Sequence, residues 1–169
     1  EMQRGKGYRI PGGIELLDKD VIMQAVPSTA RSRLRSLTIW DEIDSTNKHI
    51  STLPEQERHG AICMAEMQTA GRGRRGRHWI SPFGRNIYLS LGWQFEDGAA
   101  YLEGLSLAVG VAVCRALRTD NPDSGMANND LRLKWPNDIL INDKKVVGIL
   151  LESKVGATEV EHAIIGFGI

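Results

Sequence analysis

The alternation of apolar and polar positions along the chain predicts seven short β-strands. In one of them, Ile87, Leu89 and Leu91 alternate with Tyr88 and Ser90, which is the two-residue period of a strand with one buried face. Short apolar runs bounded by Gly, Pro, Asn or Asp predict the others. The predicted strands span residues 37–43, 61–67, 86–95, 131–135, 139–141, 146–151 and 162–169.

Apolar residues at helical spacing predict three helices. The first is a short amphipathic helix that carries Leu16, Leu17, Val21, Ile22 and Ala25. For the second, the sequence Asp-Ser-Thr-Asn at 44–47 offers capping side chains, and the helix ends near Leu53, before Pro54. The third, residues 100–118, is apolar nearly all round, so we expect it to be buried under the sheet.

Polar turns between the strands favour an antiparallel arrangement. Asn142 and Asp143 join two apolar strands in the manner of a β-hairpin. Such hairpins favour antiparallel pairing over a doubly wound parallel sheet. We therefore predict the α+β class, with a mixed, largely antiparallel β-sheet flanked by helices.

Composition narrows the class of protein without identifying it. Hydrophobic residues make up 41% and charged residues 25% of the 169 residues, as in one soluble globular domain. Basic and acidic residues both number 21, so any binding of polyanions must be local. Cys63 and Cys114 lie in apolar runs and are expected to be free thiols. Without a membrane-spanning run or a signal peptide, a cytoplasmic protein with no membrane partner is expected.

The local basic excess lies in residues 68–85, which contain five arginines and no carboxylate. Four glycines make this segment flexible, so we predict a loop that folds around an anionic ligand. Gly71, Gly73 and Gly76 satisfy G-x-G-x-x-G, but a dinucleotide site needs a helix to begin there. Pro82 opposes that helix, and arginine and histidine at 77–78 replace the last two residues of a Walker A motif. An Arg/Gly-rich nucleic-acid binder and a basic loop without ligand stay open.

Four separated motifs follow one another along the chain. They are Asp-Ser-Thr-Asn at 44–47, Gln-Thr-Ala-Gly-Arg-Gly-Arg-Arg-Gly-Arg-His-Trp at 68–79, Lys-Trp-Pro-Asn-Asp at 134–138 and Lys-Lys-Val-Val-Gly-Ile-Leu at 144–150. In this order the chain resembles the catalytic domain of the bacterial biotin protein ligases, including those that double as biotin-operon repressors. The resemblance implies a core similar to that of the class II aminoacyl-tRNA synthetases.

The resemblance also implies the reaction. Biotin's carboxylate attacks the α-phosphate of ATP, with Mg²⁺ as the expected metal, and gives biotinyl-5′-AMP and pyrophosphate. A lysine of a biotin carboxyl carrier protein then takes the biotinyl group. Lys134, Arg72 and Arg74 are the expected catalytic residues, since they would stabilise charge developing at phosphorus.

Binding roles are implied for the same motifs. The expected biotin-binding residues are Ser45, Thr46, Asn47, Gln68, Arg72, Gly73, Arg74 and Lys134. The expected ATP- or adenylate-binding residues are Arg75, Arg77, Trp79, Asn137 and Lys145. Two interpretations of Trp79 stay open, stacking on the adenine or anchoring the loop in the core. No protein ligand for a metal and no protein nucleophile is predicted.

Domain organisation is expected to follow the same resemblance. Residues 1–12 are similar to the end of the wing in an N-terminal winged-helix domain, followed by a linker. Residues 13–169 match the catalytic domain, which we expect to be truncated at its C-terminal side. A ligand-induced homodimer and operator DNA are further expected partners. A biotin-responsive repressor of biotin synthesis genes and a lipoyl or octanoyl transferase are the alternative functions.

Overall fold

The structure, a computed structural model, describes residues 2–3, 7–8, 13–95, 102, 104–118, 131–155 and 161–169. The strands are β1 (Met2–Gln3), β2 (Gly7–Tyr8), β3 (Ser36–Trp40), β4 (Ala61–Ala65), β5 (Tyr88–Phe95), β6 (Leu131–Lys134), β7 (Asp138–Ile141), β8 (Lys144–Val155) and β9 (Glu161–Gly168). The α-helices are α1 (Lys19–Ala25), α2 (Ser28–Arg31), α3 (Thr46–Thr52), α4 (Glu55–Arg58) and α5 (Leu105–Leu117).

One seven-stranded sheet in the order β3-β4-β5-β9-β8-β7-β6 forms the centre of the molecule. The β3–β4 pair is parallel, and every other pair within this sheet is antiparallel. Asn142 and Asp143 both have left-handed φ angles of 50° and 60°, as a tight hairpin turn requires. The predicted mixed, largely antiparallel sheet is therefore confirmed.

Two apolar cores lie on opposite faces of this sheet. On one face α3 packs through Ile50 against Ala61, Cys63 and Ile164. On the other face α5 packs against Ile139, Val147 and Ile149 through Val113. Because side chains alternate along a strand, Ile164 and Phe167 of β9 point to different cores. No helix within the described ranges is long and apolar enough to span a membrane.

Three predictions about the helices and strands were wrong in detail. Leu16 and Leu17 precede the first helix, because Asp18 accepts bonds from the backbone N–H groups of Asp20 and Val21 and so begins the helix at Lys19. Buried positions on β5 are Tyr88, Ser90 and Gly92, while the leucines between them are half-buried. The leucines cover the opposite face of the sheet.

Helix α5 is not buried under the sheet as predicted. Of its residues only Gly110 and Val113 are buried, and Val111 is 42% exposed. One stripe faces the sheet, where a Cβ at Gly110 would come within 2.5 Å of Leu133. Residues 100, 101 and 103 of the predicted helix lie outside the described residues.

The N-terminal segment contains a short β-ladder between residues 2–3 and 7–8. Strands β1 and β2 pair antiparallel, with Met2 opposite Tyr8. The remaining residues of the segment that resembles a wing lie outside the described residues. Its assignment to a DNA-binding domain stays a prediction.

Candidate functional site

A cavity of about 540 Å³ opens on the sheet face that carries α3. Every residue predicted for the site lines it: Ser45, Thr46, Asn47, Gln68, Arg72, Gly73, Arg74, Arg75, Arg77, Trp79, Lys134, Asn137 and Lys145. Four segments that are far apart in sequence thus meet in one place. Their individual roles in binding stay predictions.

Neutral polar groups form one corner of the cavity, which we call the polar corner: Ser45, Thr46, Asn47 and Gln68. The first three are buried, and Gln68 is half-buried. Ser45 caps α3, with its hydroxyl oxygen 3.4 Å from the Lys48 N–H. Thr46 donates to Gln68 Oε1 from its backbone N–H, at 2.9 Å, and from its hydroxyl, at 3.1 Å. Helix cap and pocket wall are therefore the same segment.

Ser90 supports the polar corner from the strand beneath it. Its side chain is fully buried, and its hydroxyl lies 2.8 Å from Thr46 Oγ1 and 2.5 Å from Asn47 Oδ1. Sequence reasoning missed this residue. The sequence carried no signal for it, because Ser90 alternates with Leu89 and Leu91 and so falls among the polar positions of that strand. Its hydrogen bonds satisfy a polar group that the structure buries.

Residues 71–80, here called the lid, fold back on themselves above the cavity. Gly73 N–H donates to Arg77 C=O at 2.7 Å, and Trp79 N–H donates to Gly71 C=O at 2.9 Å. A 3-10 turn over Arg74–Gly76 closes the tip of this loop. The predicted Arg/Gly loop is thus a narrow, closed turn whose arginines line the cavity.

Two lid arginines reach across the cavity to other elements. Arg74 donates from Nη1 to Asn137 Oδ1 at 3.2 Å. Arg72 lies with Nη2 3.5 Å from Glu152 Oε1. Asn137 in turn donates to the Ile149 carbonyl at 2.7 Å, which fixes its amide. The lid is therefore attached to both sides of the pocket by charged or polar contacts.

Trp79 lies at the end of the lid and packs on a floor of glycines. A Cβ at Gly148 would come within 2.8 Å of its ring, and one at Gly168 within 2.7 Å of Nε1. These two glycines face each other across β8 and β9. The ring thus anchors the lid on the sheet while lining the cavity, so both interpretations of Trp79 are compatible with its position.

Lysines provide the remaining positive charge. Lys145 lies with Nζ 2.7 Å from Asp138 Oδ1 and 5.0 Å from the centroid of the Trp79 ring. Lys134 is exposed at the end of β6, directly opposite Asp138 in the hairpin. Ser106 of α5 donates to the Pro136 carbonyl at 3.1 Å and so supports the turn after Lys134.

Neither cysteine is placed for nucleophilic chemistry. Burial raises the pKa of the Cys63 thiol to about 12, and it also raises the pKa of Cys114. Among the described residues, no group of three or more His, Cys, Asp or Glu side chains is placed to hold a metal ion.

Sequence reasoning also missed two further residues of the site, Gly166 and Glu152. Gly166 lies directly beneath Asn47, where any Cβ would overlap Asn47 Oδ1. Glu152 of β8 accepts from Asn47 Nδ2 at 2.7 Å as well as contacting Arg72. Both are on strands, and no motif marks them.

Known proteins match both the sequence and this fold. The model of the Biotin/lipoate A/B protein ligase family matches residues 40–169. The bifunctional ligase/repressor BirA of Salmonella typhimurium is 41% identical over 165 residues, which are 98% of this chain and 48% of that protein. The biotin–[acetyl-CoA-carboxylase] ligase of Paracoccus denitrificans is 38% identical over 129 residues, 75% of this chain and 50% of that protein. The chain spans about half the length of these relatives.

Solved structures of biotin protein ligases resemble the fold of this chain. The biotin protein ligase of Aquifex aeolicus in complex with biotin and ATP has a TM-score of 0.61 and 33% identity, over 80% of this chain and 52% of that one. The biotin protein ligase of Leishmania major in complex with biotinyl-5-AMP has a TM-score of 0.62 and 30% identity, over 78% and 56%. The likeness to biotin protein ligases also supports the predicted resemblance to the class II synthetase core. This chain belongs to the Biotin/lipoate A/B protein ligase family.

Proposed function

We propose that the protein is a biotin protein ligase, which activates biotin with ATP to biotinyl-5′-AMP and transfers it to a lysine of a biotin carboxyl carrier protein. One observation carries the proposal: a single cavity joins a neutral polar corner to a wall of cationic side chains. Biotin has the same division, with a neutral ureido ring at one end and a carboxylate at the other. The relatives named as biotin ligases and the neighbours solved with biotin and ATP support it.

The ureido ring belongs in the polar corner. It has one carbonyl acceptor and two N–H donors, so it needs short neutral partners with fixed orientation. Ser45, Thr46 and Asn47 are each at most 5% exposed, and contacts to Gln68 and Ser90 hold two of them in place. A charged group in this corner would lose its hydration, and the four side chains that line it are neutral.

The first step brings a carboxylate toward a triphosphate, and like charges oppose it. Lys134, Arg72 and Arg74 line the cavity where a carboxylate could extend from the polar corner. Their fixed positive charge would stabilise the charge that develops on the α-phosphate as the carboxylate oxygen bonds to phosphorus and pyrophosphate leaves. Arg75, Arg77 and Lys145 would neutralise the remaining phosphates.

The adenine belongs beside Trp79, whose ring is fixed on Gly148 and Gly168. Asn137 lies close by and offers the polar atoms that a nucleotide needs. We propose that Mg²⁺ enters with the nucleotide, because Mg²⁺ usually binds together with substrate phosphates and not in a site made by the protein alone. Bound there, it would supply further positive charge to the phosphates.

The second step needs a nucleophile from outside the chain. The amine of the carrier lysine attacks the carbonyl carbon of biotinyl-5′-AMP, an amide bond forms, and AMP leaves with the electrons of the broken C–O bond. Trp135 and Ile80 are 77% and 76% exposed at the edge of the cavity and its lid. They offer apolar contact area to a carrier domain. We place this reaction in the cytoplasm.

A repressor role is the second candidate function. Curated relatives named bifunctional ligase/repressor align with 98% of this chain, and the β1–β2 ladder precedes the family match. Operator DNA would then bind upstream residues, and a homodimer induced by ligand would fit the two half-sites of an operator. Biotin-dependent retardation of operator DNA by the full-length protein tests this role.

Pyrophosphate release tests the ligase proposal against lipoyl or octanoyl transfer. The protein is mixed with ATP and Mg²⁺ and with biotin, lipoate or octanoate in parallel. We expect release with biotin alone, because only biotin presents polar groups to the buried polar corner. Release that depends on lipoate and not on biotin would refute the proposal.

A further inference from the structure

We propose that Glu152 is a positioning residue that links the polar corner to the lid, so that both halves of the ligand are bound by one coupled unit. The inference rests on the proposed function. Glu152 is not among the residues that line the cavity, and it acts through two that do. Those two residues are Asn47 and Arg72.

Each oxygen of the Glu152 carboxylate serves one partner. Oε2 accepts from Asn47 Nδ2 at 2.7 Å, and Oε1 lies 3.5 Å from Arg72 Nη2. Asn47 belongs to α3 and Arg72 to the lid, which are 25 positions apart in sequence. A carboxylate is suited to this task because it offers two acceptor oxygens and no donor.

The orientation of the Asn47 amide depends on this carboxylate. Its Nδ2 faces Glu152, and its Oδ1 accepts from the Ser90 hydroxyl at 2.5 Å. Because the Ser90 hydroxyl can donate or accept, it is the acceptor-only carboxylate that requires Nδ2 on its side and so fixes the orientation of the amide. Gly166 lies directly beneath and leaves room for the Asn47 side chain, because a Cβ there would overlap its Oδ1. Glu152 therefore sets which atoms Asn47 can present to the cavity.

The contact of Glu152 with Arg72 is weaker than its contact with Asn47. The side chains of Arg72 and Glu152 are 49% and 34% exposed, so water weakens their attraction. Such a pair holds the guanidinium above the cavity, yet it can yield donors to a ligand carboxylate or phosphate. Arg72 is thereby kept in place without being withdrawn from the ligand.

Strand β8 makes Glu152 a rigid point of attachment. Its Cα pairs with Ile164 of β9, a buried core residue, and Leu150 on the same strand pairs with Gly166. Neighbouring pairs therefore place the carboxylate one step along the sheet from the floor under Asn47. A loop residue would not give this precision.

Glu152→Gln tests the inference, because glutamine keeps the shape but offers a single acceptor oxygen. We expect the KM for biotin to rise on the order of tenfold, as for loss of one charge-assisted hydrogen bond, while kcat stays within about twofold. Lys154→Gln is the matched control, since Lys154 is on the same face of β8 and donates to the Ser51 carbonyl outside the site. Its KM should equal that of the wild type.

A double-mutant cycle separates positioning from general stabilisation. In the Asn47→Ala background, Glu152→Gln should raise the KM for biotin much less than in the wild type, because its partner is gone. Additive effects, or an unchanged KM in Glu152→Gln, would overturn the inference. Should Glu152→Gln fail to fold, Glu152→Asp keeps the charge but withdraws both oxygens from Asn47 and Arg72 by the length of one methylene group, and a KM equal to the wild-type value would overturn the inference. A wild-type protein without biotin-dependent turnover would instead refute the proposed function.

Discussion

Three glycines give the cavity its floor, and their small size matters more than their flexibility. Gly148 and Gly168 lie under the Trp79 ring, and Gly166 lies under Asn47. At each position a Cβ would push a pocket side chain away from the sheet. All three are on the face of β8 and β9 that carries the polar corner. The shape of the cavity therefore depends on the absence of side chains at these three positions.

Substitution of Gly166 by alanine should damage binding more than folding. The added methyl group would displace Asn47, and we expect the affinity for biotin to fall on the order of tenfold or more, measured by calorimetry. Gly13→Ala is the control, because Gly13 has a left-handed φ of 75° and open space around it. It should cost about 1 kcal/mol of stability and leave biotin binding unchanged. Equal affinities in wild type and Gly166→Ala would contradict the proposed floor.

Lys134 should contribute to catalysis through its charge. We expect Lys134→Met to lower kcat for pyrophosphate release on the order of a hundredfold, since it removes a fixed charge from the reacting phosphate. Lys144→Met is the matched control, because Lys144 is an exposed lysine of the adjacent hairpin and does not line the cavity. The proposed role of Lys134 is wrong if both variants keep the wild-type kcat.

Cys63 should make stability depend on alkaline pH. Burial among Ile50, Ala61 and Ile164 raises its pKa to about 12 from 9.0. The unfolded thiol loses its proton near pH 9 while the folded thiol keeps it, so the stabilisation present below pH 9 is lost as the pH rises toward 12. The free energy of unfolding should fall by about 1 kcal/mol per pH unit more steeply than in Cys63→Ala. The free energies of both proteins are measured by urea unfolding at each pH. If they fall with pH at the same rate, the thiol is not responsible.

At the scale of elements, the lid is the segment whose order should depend on ligand. Its four arginines lie on one narrow turn, and the structure pairs Arg72 and Arg74 with groups across the cavity. Fixing about ten residues costs on the order of 10 kcal/mol of backbone entropy. Contacts to an anionic ligand must offset much of that cost.

Limited proteolysis measures this dependence directly. Trypsin cleavage at the lid arginines should slow on the order of tenfold or more when biotin and ATP are added, because a closed lid is a poor protease substrate. Cleavage after Lys19 of α1, outside the site, provides the internal control and should not change. If the lid is cut at the same rate with and without ligand, it does not close over the adenylate.

Sequence patterns identified the segments that line the cavity, but they did not identify the residues that hold those segments in place. The motifs at 44–47, 68–79 and 134–138 follow or end predicted strands, and the motif at 144–150 lies mostly in one. The structure gathers all four at one cavity. Ser90 and Glu152 could not be placed, because they act through pairing. Ser90 is opposite Gly166 only in the register that β5 and β9 adopt. Local periodicity does not determine that register.

Partial burial of α5 illustrates a second limit. Its composition predicts burial on all sides, whereas in the described residues the sheet covers one stripe that includes Gly110 and Val113. Apolar composition reports the tendency of a helix to be covered and does not say what covers it. The strand bounds differ for a similar reason, since β8 gains residues by pairing with β9 along its whole second half.

Across the whole molecule, the sheet brings one neutral and one cationic region to the same face. Helix α3 carries most of the polar corner, the lid contributes arginines, and the β6–β7 and β7–β8 hairpins contribute Lys134 and Lys145. The 68–79 motif contributes to both regions, through Gln68 and its arginines, and each of the other segments contributes to one. The antiparallel topology therefore matters to function, because it joins these segments at one cavity.

The central claim is that this cavity makes biotinyl-5′-AMP and passes biotin to a carrier lysine. The most direct test is to incubate the protein with biotin, ATP, Mg²⁺ and a biotin-acceptor domain, and to weigh the acceptor by mass spectrometry. The account predicts one added biotinyl group per acceptor, lost when ATP is omitted, and lost when the acceptor lysine is replaced by arginine. An acceptor of unchanged mass, with no biotin-dependent release of pyrophosphate, would contradict it.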